Sequence, residues 1–237
     1  MGQILTVYGA GGSGKSTFAV NLAAALAKQN KIVTIMNCDM NVGSLQIFFG
    51  ETIDNTIGIP LVFRDKTEIP DKFIKQVTRI PNIYLLSCPN ELHDILSGEI
   101  EANAINMVFR KLSLSSDFLI IDCTSDLYNE LTLRGIQKAD KLFLCYKITI
   151  NHLKWHQSHI HTIERFAKPV TYILNEHDNG CSTNDFASTS QIDYAYTLPD
   201  IYEARFLENE GTPIYTIGGK RYSKYTAQID EIVATLL

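Results

Sequence analysis

Between the apolar run Ile4–Tyr8 and the helix-like segment Ser16–Gln29, the chain turns through Gly9–Ser16, GAGGSGKS. No other stretch limits the possible folds so strongly. The spacing fits G-x-x-x-x-G-K-[ST], and it stands where a strand runs directly into a helix, the context in which that pattern is specific. Gly11, Gly12 and Gly14 let the backbone aim successive N–H groups at one point, and the dipole of the following helix adds positive potential there. A loop of this kind receives phosphate. Lys15 is placed to neutralise β and γ phosphate charge, and the Ser16 hydroxyl to hold Mg²⁺. With Ser13 these residues form the candidate cradle.

Apolar runs of strand length alternate with segments of helical period along the rest of the chain. The strand-like runs are ILTVY, IVTIMNC, IYLLSC, FLIID, KLFLCY and PVTYIL; the helix-like segments are 16–29, 91–112, 128–138, 151–167 and 222–237. Such alternation, with β-branched strands, predicts an α/β fold of three layers, a mostly parallel sheet with helices on both faces. Segments 51–70 and 178–191 read as polar, turn-rich excursions too short to be domains. With 237 residues, of which 45% are hydrophobic, a single domain over 1–237 is expected.

The balance of 21 basic against 26 acidic residues gives a net charge of -5, which creates no general field for nucleic acid or anionic membrane. Cys38, Cys88, Cys123, Cys145 and Cys181 form no CxxC pair, and four of them lie in or beside apolar runs. That is cysteine used as a small hydrophobe in a reducing cytoplasm. No segment has the roughly 18 uninterrupted apolar residues of a membrane span.

Two carboxylates join the cradle. Asp122 ends FLIID, where a strand terminus can reach the water shell of a metal beside the loop. Asp39 closes IVTIMNCD, and parallel packing brings it to the same edge. Ser16, Asp39 and Asp122 form the candidate metal set.

Taken together, YGAGGSGKST, IMNCDMN, FLIIDCTSD, KADKLFLCY, TYILN and TLPDIYEARFLENEGTPIY make the sequence similar to the ParA/MinD group of P-loop ATPases over nearly its whole length. The resemblance implies a doubly wound sheet, ATP and Mg²⁺ as ligands, and a nucleotide-dependent homodimer. It also implies that Thr17 touches the α phosphate, Asp39 positions the attacking water, Asn175 reads adenine and Pro199 lines the base pocket. Three positions depart from the family. Ala10 stands where a lysine reaches across the dimer, Asn37 replaces the first of two aspartates, and CTSD lacks the glycine or proline residues that commonly follow the Walker B acid. A methyl cannot stabilise phosphoryl charge, so hydrolysis is expected to be slow unless Lys147 or Lys154 supplies a cation. Loss of that lysine is shared with the TadZ/CpaE branch, which localises pilus or secretion machinery.

Weaker signals point elsewhere. YGAGGSGKST and NCDMN also resemble the nitrogenase iron protein, but Cys123 follows Asp122 too closely for a cluster loop. ILNEHD has a guanine reader's N-x-x-D spacing, yet Glu176 replaces its lysine, and adenine is favoured with Asp178 as a turn residue. His152, His156 and His159 share one helical face at a spacing that suits zinc; lacking a carboxylate or cysteine partner, they read as a solvated or partner-facing surface. Lys220, Arg221 and Lys224, interleaved with Tyr222 and Tyr225, are a basic and aromatic cluster of the kind nucleic acid contacts, read here as a solvated helix start. EIVATLL carries no basic residue, so direct membrane insertion is not expected.

Overall fold

The computed structural model describes residues 1–64, 70–91, 100–177 and 182–237. The apolar runs form β1 Gln3–Gly9, β2 Val33–Asn37, β3 Lys75–Gln76, β4 Ile83–Leu86, β5 Phe118–Asp122, β6 Lys141–Tyr146, β7 Val170–His177 and β8 Tyr196–Pro199. The α-helices are α1 Lys15–Lys28, α2 Ile59–Arg64, α3 Ala102–Ser115, α4 Glu130–Lys138, α5 Ile150–Glu164, α6 Thr183–Ser190, α7 Ala204–Asn209 and α8 Ser223–Ala234. All belong to one sheet or its covering layers.

The strand order is β3-β4-β2-β5-β1-β6-β7-β8, parallel throughout except for the short edge pair β3–β4. Strand β1 lies between β5 and β6, so the chain leaves it one way toward β2 and later returns on its other side. Ligands of open α/β sheets bind at the carboxyl ends of strands beside such a reversal. Register places Asp122 level with Val7 of β1 and Asn37 of β2, while Gly9 is level with Cys145.

Alternation along the buried strands divides the core into two layers. Leu5, Val7, Ile35, Ile120 and Phe143 share a layer with α1 and α8; Ile4, Tyr8, Met36, Leu119, Ile121 and Leu144 share one with α3, α4 and α5. This is the three-layer arrangement predicted from the sequence. Helix α1 is buried from Phe18 to Ala27, and its alanines let it lie close under α8 and the sheet. Its buried Asn21 is satisfied twice: Nδ2 donates to the Thr17 carbonyl, and Oδ1 accepts from the Tyr215 N–H. On the other face Gly135 lets α4 approach the sheet, since a side chain there would meet Ile121 at 3.0 Å.

The structure corrects several element readings. The expected helix 91–112 is, among the described residues, α3 from Ala102, because Glu101 before it is extended; residues 92–99 lie outside the description. Segment 178–191 is not only a polar excursion. Ser182 caps a helix at 183–190 by accepting from the Asp185 N–H. The basic and aromatic cluster divides: Arg221 pairs with Glu203 at the surface, while Tyr225 is buried. Among the described residues, no helix is long and apolar enough to cross a membrane.

Candidate nucleotide site

Loop 10–14 joins β1 to α1 and closes on itself through the Ser13 N–H, which donates to the Ala10 carbonyl. Gly12 and Gly14 have φ of +74° and +80°, a left-handed conformation that side chains with a Cβ rarely adopt. A Cβ on Gly14 would also stand 3.0 Å from Asn175 Nδ2. Lys15 Nζ donates to the Ala10 carbonyl at 2.9 Å, so its ammonium lies folded over the loop. Ala10 itself is only 4% exposed. A longer side chain at this position must leave that enclosed place.

Ser16 Oγ donates to Asp122 Oδ2 at 2.7 Å, joining the first turn of α1 to the end of β5. Burial raises the Asp122 carboxyl to about 6, against the Ser16 hydrogen bond and the Lys15 charge, which lower it; the Asp39 charge adds to the rise. Its other oxygen, Oδ1, is buried with no hydrogen-bond partner. A buried, unsatisfied carboxylate oxygen beside a serine hydroxyl suits the hydrated oxygen shell of Mg²⁺, a cation that keeps several waters. Among the described residues no group of three or more His, Cys, Asp or Glu could hold a metal alone, so such an ion would depend on Ser16, phosphate oxygens and water.

Asp39 lies just beyond β2, which ends at Asn37 and not at Asp39 as read from the sequence, and its charge is felt at Asp122. Its Oδ1 accepts from the Asn41 and Val42 N–H groups and so caps the loop after the strand. Asn37, the last residue of β2, donates to Ser44 and accepts from the Asp39 N–H, bracing the same loop.

One cleft beside the cradle is lined by Gly14, Thr17, Lys147, Asn175, Pro199 and Glu208, among others. Asn175 Nδ2 donates to the buried Ser13 carbonyl at 2.8 Å and thereby props the loop from β7. The Thr17 hydroxyl, expected on an α phosphate, donates to Glu208 Oε1 of α7 at 2.5 Å. Lys147 lines this cleft, whereas Lys154 contacts Gln157 on the exposed side of its helix. Gly11 and Gly12 are exposed at the mouth, and Ser13 is buried beneath. Asp178 lies outside the described residues.

The three histidines do share a face, but it turns inward. His152 and His156 are buried; His156 meets the Tyr146 hydroxyl at 3.0 Å, and His159 stacks on Trp155. Burial against β6 overturns the reading of a solvated surface. His152 and Glu208 thus join the site without having been read as part of it. A histidine inside an otherwise amphipathic helix was the available signal for the first; Glu208 has no local signal.

The AAA domain family AAA_31 matches residues 2–175, most of the chain. The chain belongs to this family. Within it the protein is of the ParA/MinD type of P-loop ATPase. It is 23% identical over 237 residues to the septum site-determining protein MinD of Thermotoga maritima, covering 94% of this chain and 85% of that protein. The fold matches MinD of Pyrococcus horikoshii, solved with Mg-ADP, with a TM-score of 0.84, 19% identity and coverage of 100% and 97%. A ParA family ATPase from Chlorobium tepidum matches with a TM-score of 0.83, 16% identity and coverage of 100% and 99%.

Proposed function

We propose that this ParA/MinD-type protein is one nucleotide-binding domain over 1–237 that binds ATP with Mg²⁺ in the cytoplasm and acts as a dimerisation or positioning switch with slow hydrolysis. The observation that carries this reading is the junction of Ser16 with Asp122, whose Oδ1 is buried and unsatisfied, directly after a glycine loop capped by Lys15. Bound Mg²⁺ would neutralise phosphate charge. Gly11, Gly12, Ser13 and Gly14 offer backbone N–H groups, and Lys15 leaves the Ala10 carbonyl to meet the β and γ phosphates. Ser16 and Asp122 hold the metal and its water; Asp39, fixed by its own loop, orients the attacking water. Thr17 turns to the α phosphate once Glu208 releases it, and Asn175 and Pro199 border the base. The Mg-ADP bound to MinD of Pyrococcus horikoshii supports the same ligand class here.

Self-association is supported by the surface around the cradle. Val42, Tyr128, Ile150, Tyr202 and Phe206 are exposed and follow the carboxyl ends of β2, β5, β6 and β8, with Tyr128 and Tyr202 95% and 91% exposed. Exposed apolar side chains in the loops after these strand ends suit an association surface. Ala10 favours a second reading, a TadZ/CpaE-like scaffold without turnover, because its buried methyl brings no charge to a partner's phosphates.

Calorimetric titration with ATP and Mg²⁺ tests the first reading: wild type binds, and Lys15→Ala loses binding. Absence of binding by wild type, or undiminished binding by the variant, defeats it. Sizing chromatography with ATP against ADP, beside phosphate release, separates switch from scaffold; the scaffold gives no turnover and the same oligomer in both.

A further inference from the structure

Helix α5 reaches the cradle through the side chain of His152. Thr149 caps this helix by accepting from the His152 N–H, which sets His152 in the first turn with 6% of its surface exposed. Its Nε2 lies 3.2 Å from the Gly11 carbonyl oxygen, and its Nδ1 lies 2.8 Å from the Lys147 nitrogen. A carbonyl only accepts and a backbone N–H only donates, so these partners place the proton on Nε2 and the lone pair on Nδ1. The Lys147 carbonyl, 3.2 Å from Nδ1, would receive a bond only if Nδ1 carried the proton, and the shorter contact from the Lys147 N–H would then be lost. Burial first, then the charges of Lys147 and Lys15, outweigh the two backbone bonds and lower the ring's pKa, in keeping with that neutral form.

The consequence lies in the next peptide. A trans peptide is planar, with C=O and N–H opposed, so drawing the Gly11 carbonyl toward α5 sends the Gly12 N–H the other way. Gly12 has φ +74°, and a side chain begun there would meet nothing within 4 Å, so this part of the loop borders open space. Two glycines in succession give a peptide that turns over easily unless something holds it. Asn175 does the same for the next carbonyl but one, at Ser13.

We propose that His152 is a positioning residue of the cradle, which fixes the Gly11–Gly12 peptide for phosphate binding and couples occupancy of the cradle to helix α5. The inference rests on the nucleotide reading above. Trp155, the only tryptophan, reports on it: it lies one turn further along α5, against Tyr8 and Tyr146 at ring distances of 5.2 and 5.9 Å.

The test compares wild type with His152→Phe, which keeps a ring without donors, and His152→Gln, whose amide still donates. Affinity for ATP with Mg²⁺, Trp155 emission at saturating ATP, and melting without nucleotide are measured for each. His152→Phe should bind about 10-fold more weakly, the loss of one well-made hydrogen bond, and lose more than half of the Trp155 response at saturation. His152→Gln should bind within about threefold of wild type. Wild-type affinity in His152→Phe, or equal weakening in both variants with equal loss of melting temperature, makes His152 a core residue only and overturns the positioning role. A full Trp155 response in His152→Phe, or none in wild type, overturns the coupling. The nucleotide reading fails separately, if wild type and Lys15→Ala behave alike.

Discussion

The loop end of the cleft, at Gly14 and Thr17, belongs to one unbroken stretch, residues 9–17, whereas the opposite wall is assembled from Asn175, Pro199 and Glu208 on β7, β8 and α7. At the first end backbone amides act, and glycine conformations set their directions. At the second end side chains act, and each depends on where a distant element has packed. The Ser13 carbonyl, bonded by Asn175, is where the two halves join. A contiguous loop can be specified by local conformation alone; a wall of separate elements can be retuned one contact at a time.

Breaking the loop should cost most. Gly14→Ala adds a Cβ at φ +80° and 3.0 Å from Asn175 Nδ2; about 2 kcal/mol of strain and about a 30-fold loss of ATP affinity are expected by calorimetry. Near-normal affinity would show that the loop's left-handed turn is dispensable.

Asn175→Ala attacks the joint and leaves the buried Ser13 carbonyl unpaired. ATP, ADP and GTP should all bind about 10-fold more weakly. Selective loss of the adenine nucleotides in the same titrations would instead make Asn175 a base reader and not a prop.

Glu208→Gln alters only the wall. It removes a negative charge from the Thr17 hydroxyl beside an anion site, and ATP should bind about threefold more tightly. Weaker binding would mean that Glu208 helps to hold the nucleotide.

The smallest effect concerns Asp122 in protein free of metal and nucleotide. Its folded pKa, raised to about 6 against an ordinary 3.8, means that the folded state binds the proton more tightly than the unfolded one. Its contribution to stability is therefore full below about pH 4 and is lost as pH rises through about 6. Denaturant midpoints from pH 4 to 7 should show this decline in wild type relative to Asp122→Asn. Parallel curves for the two proteins would remove it.

Much of the first half is legible in the sequence. Gly9–Ser16, the strand before it and the acid at the end of FLIID are local patterns, and burial periodicity gave the three layers. The second half was less so. Asn175 and Pro199 were named through resemblance, and the structure adds that the first holds the loop. Glu208 has no local signal because its place depends on a partner distant in sequence: Gly211, whose N–H donates to the Glu208 carbonyl, packs on Gly50 so closely that a Cβ would lie 2.2 Å from the Gly50 nitrogen. His152 reads from sequence as a solvated or partner-facing surface because no carboxylate or cysteine accompanies it, and burial against β6 is not visible in a helical period.

The amino-acid sequence by itself determined the conformations: where strands and helices form, which faces carry apolar side chains, and which loop turns its amides inward. These depend on residues a few positions apart, whose sterics and hydrogen bonds act at short range. Only the tertiary structure decided the meetings: His152 with Gly11, Asn175 with Ser13, Glu208 with Thr17 and Ser16 with Asp122. Each is a bond of about 3 Å between groups more than a hundred residues apart, and such a distance is fixed only when every layer between them has packed.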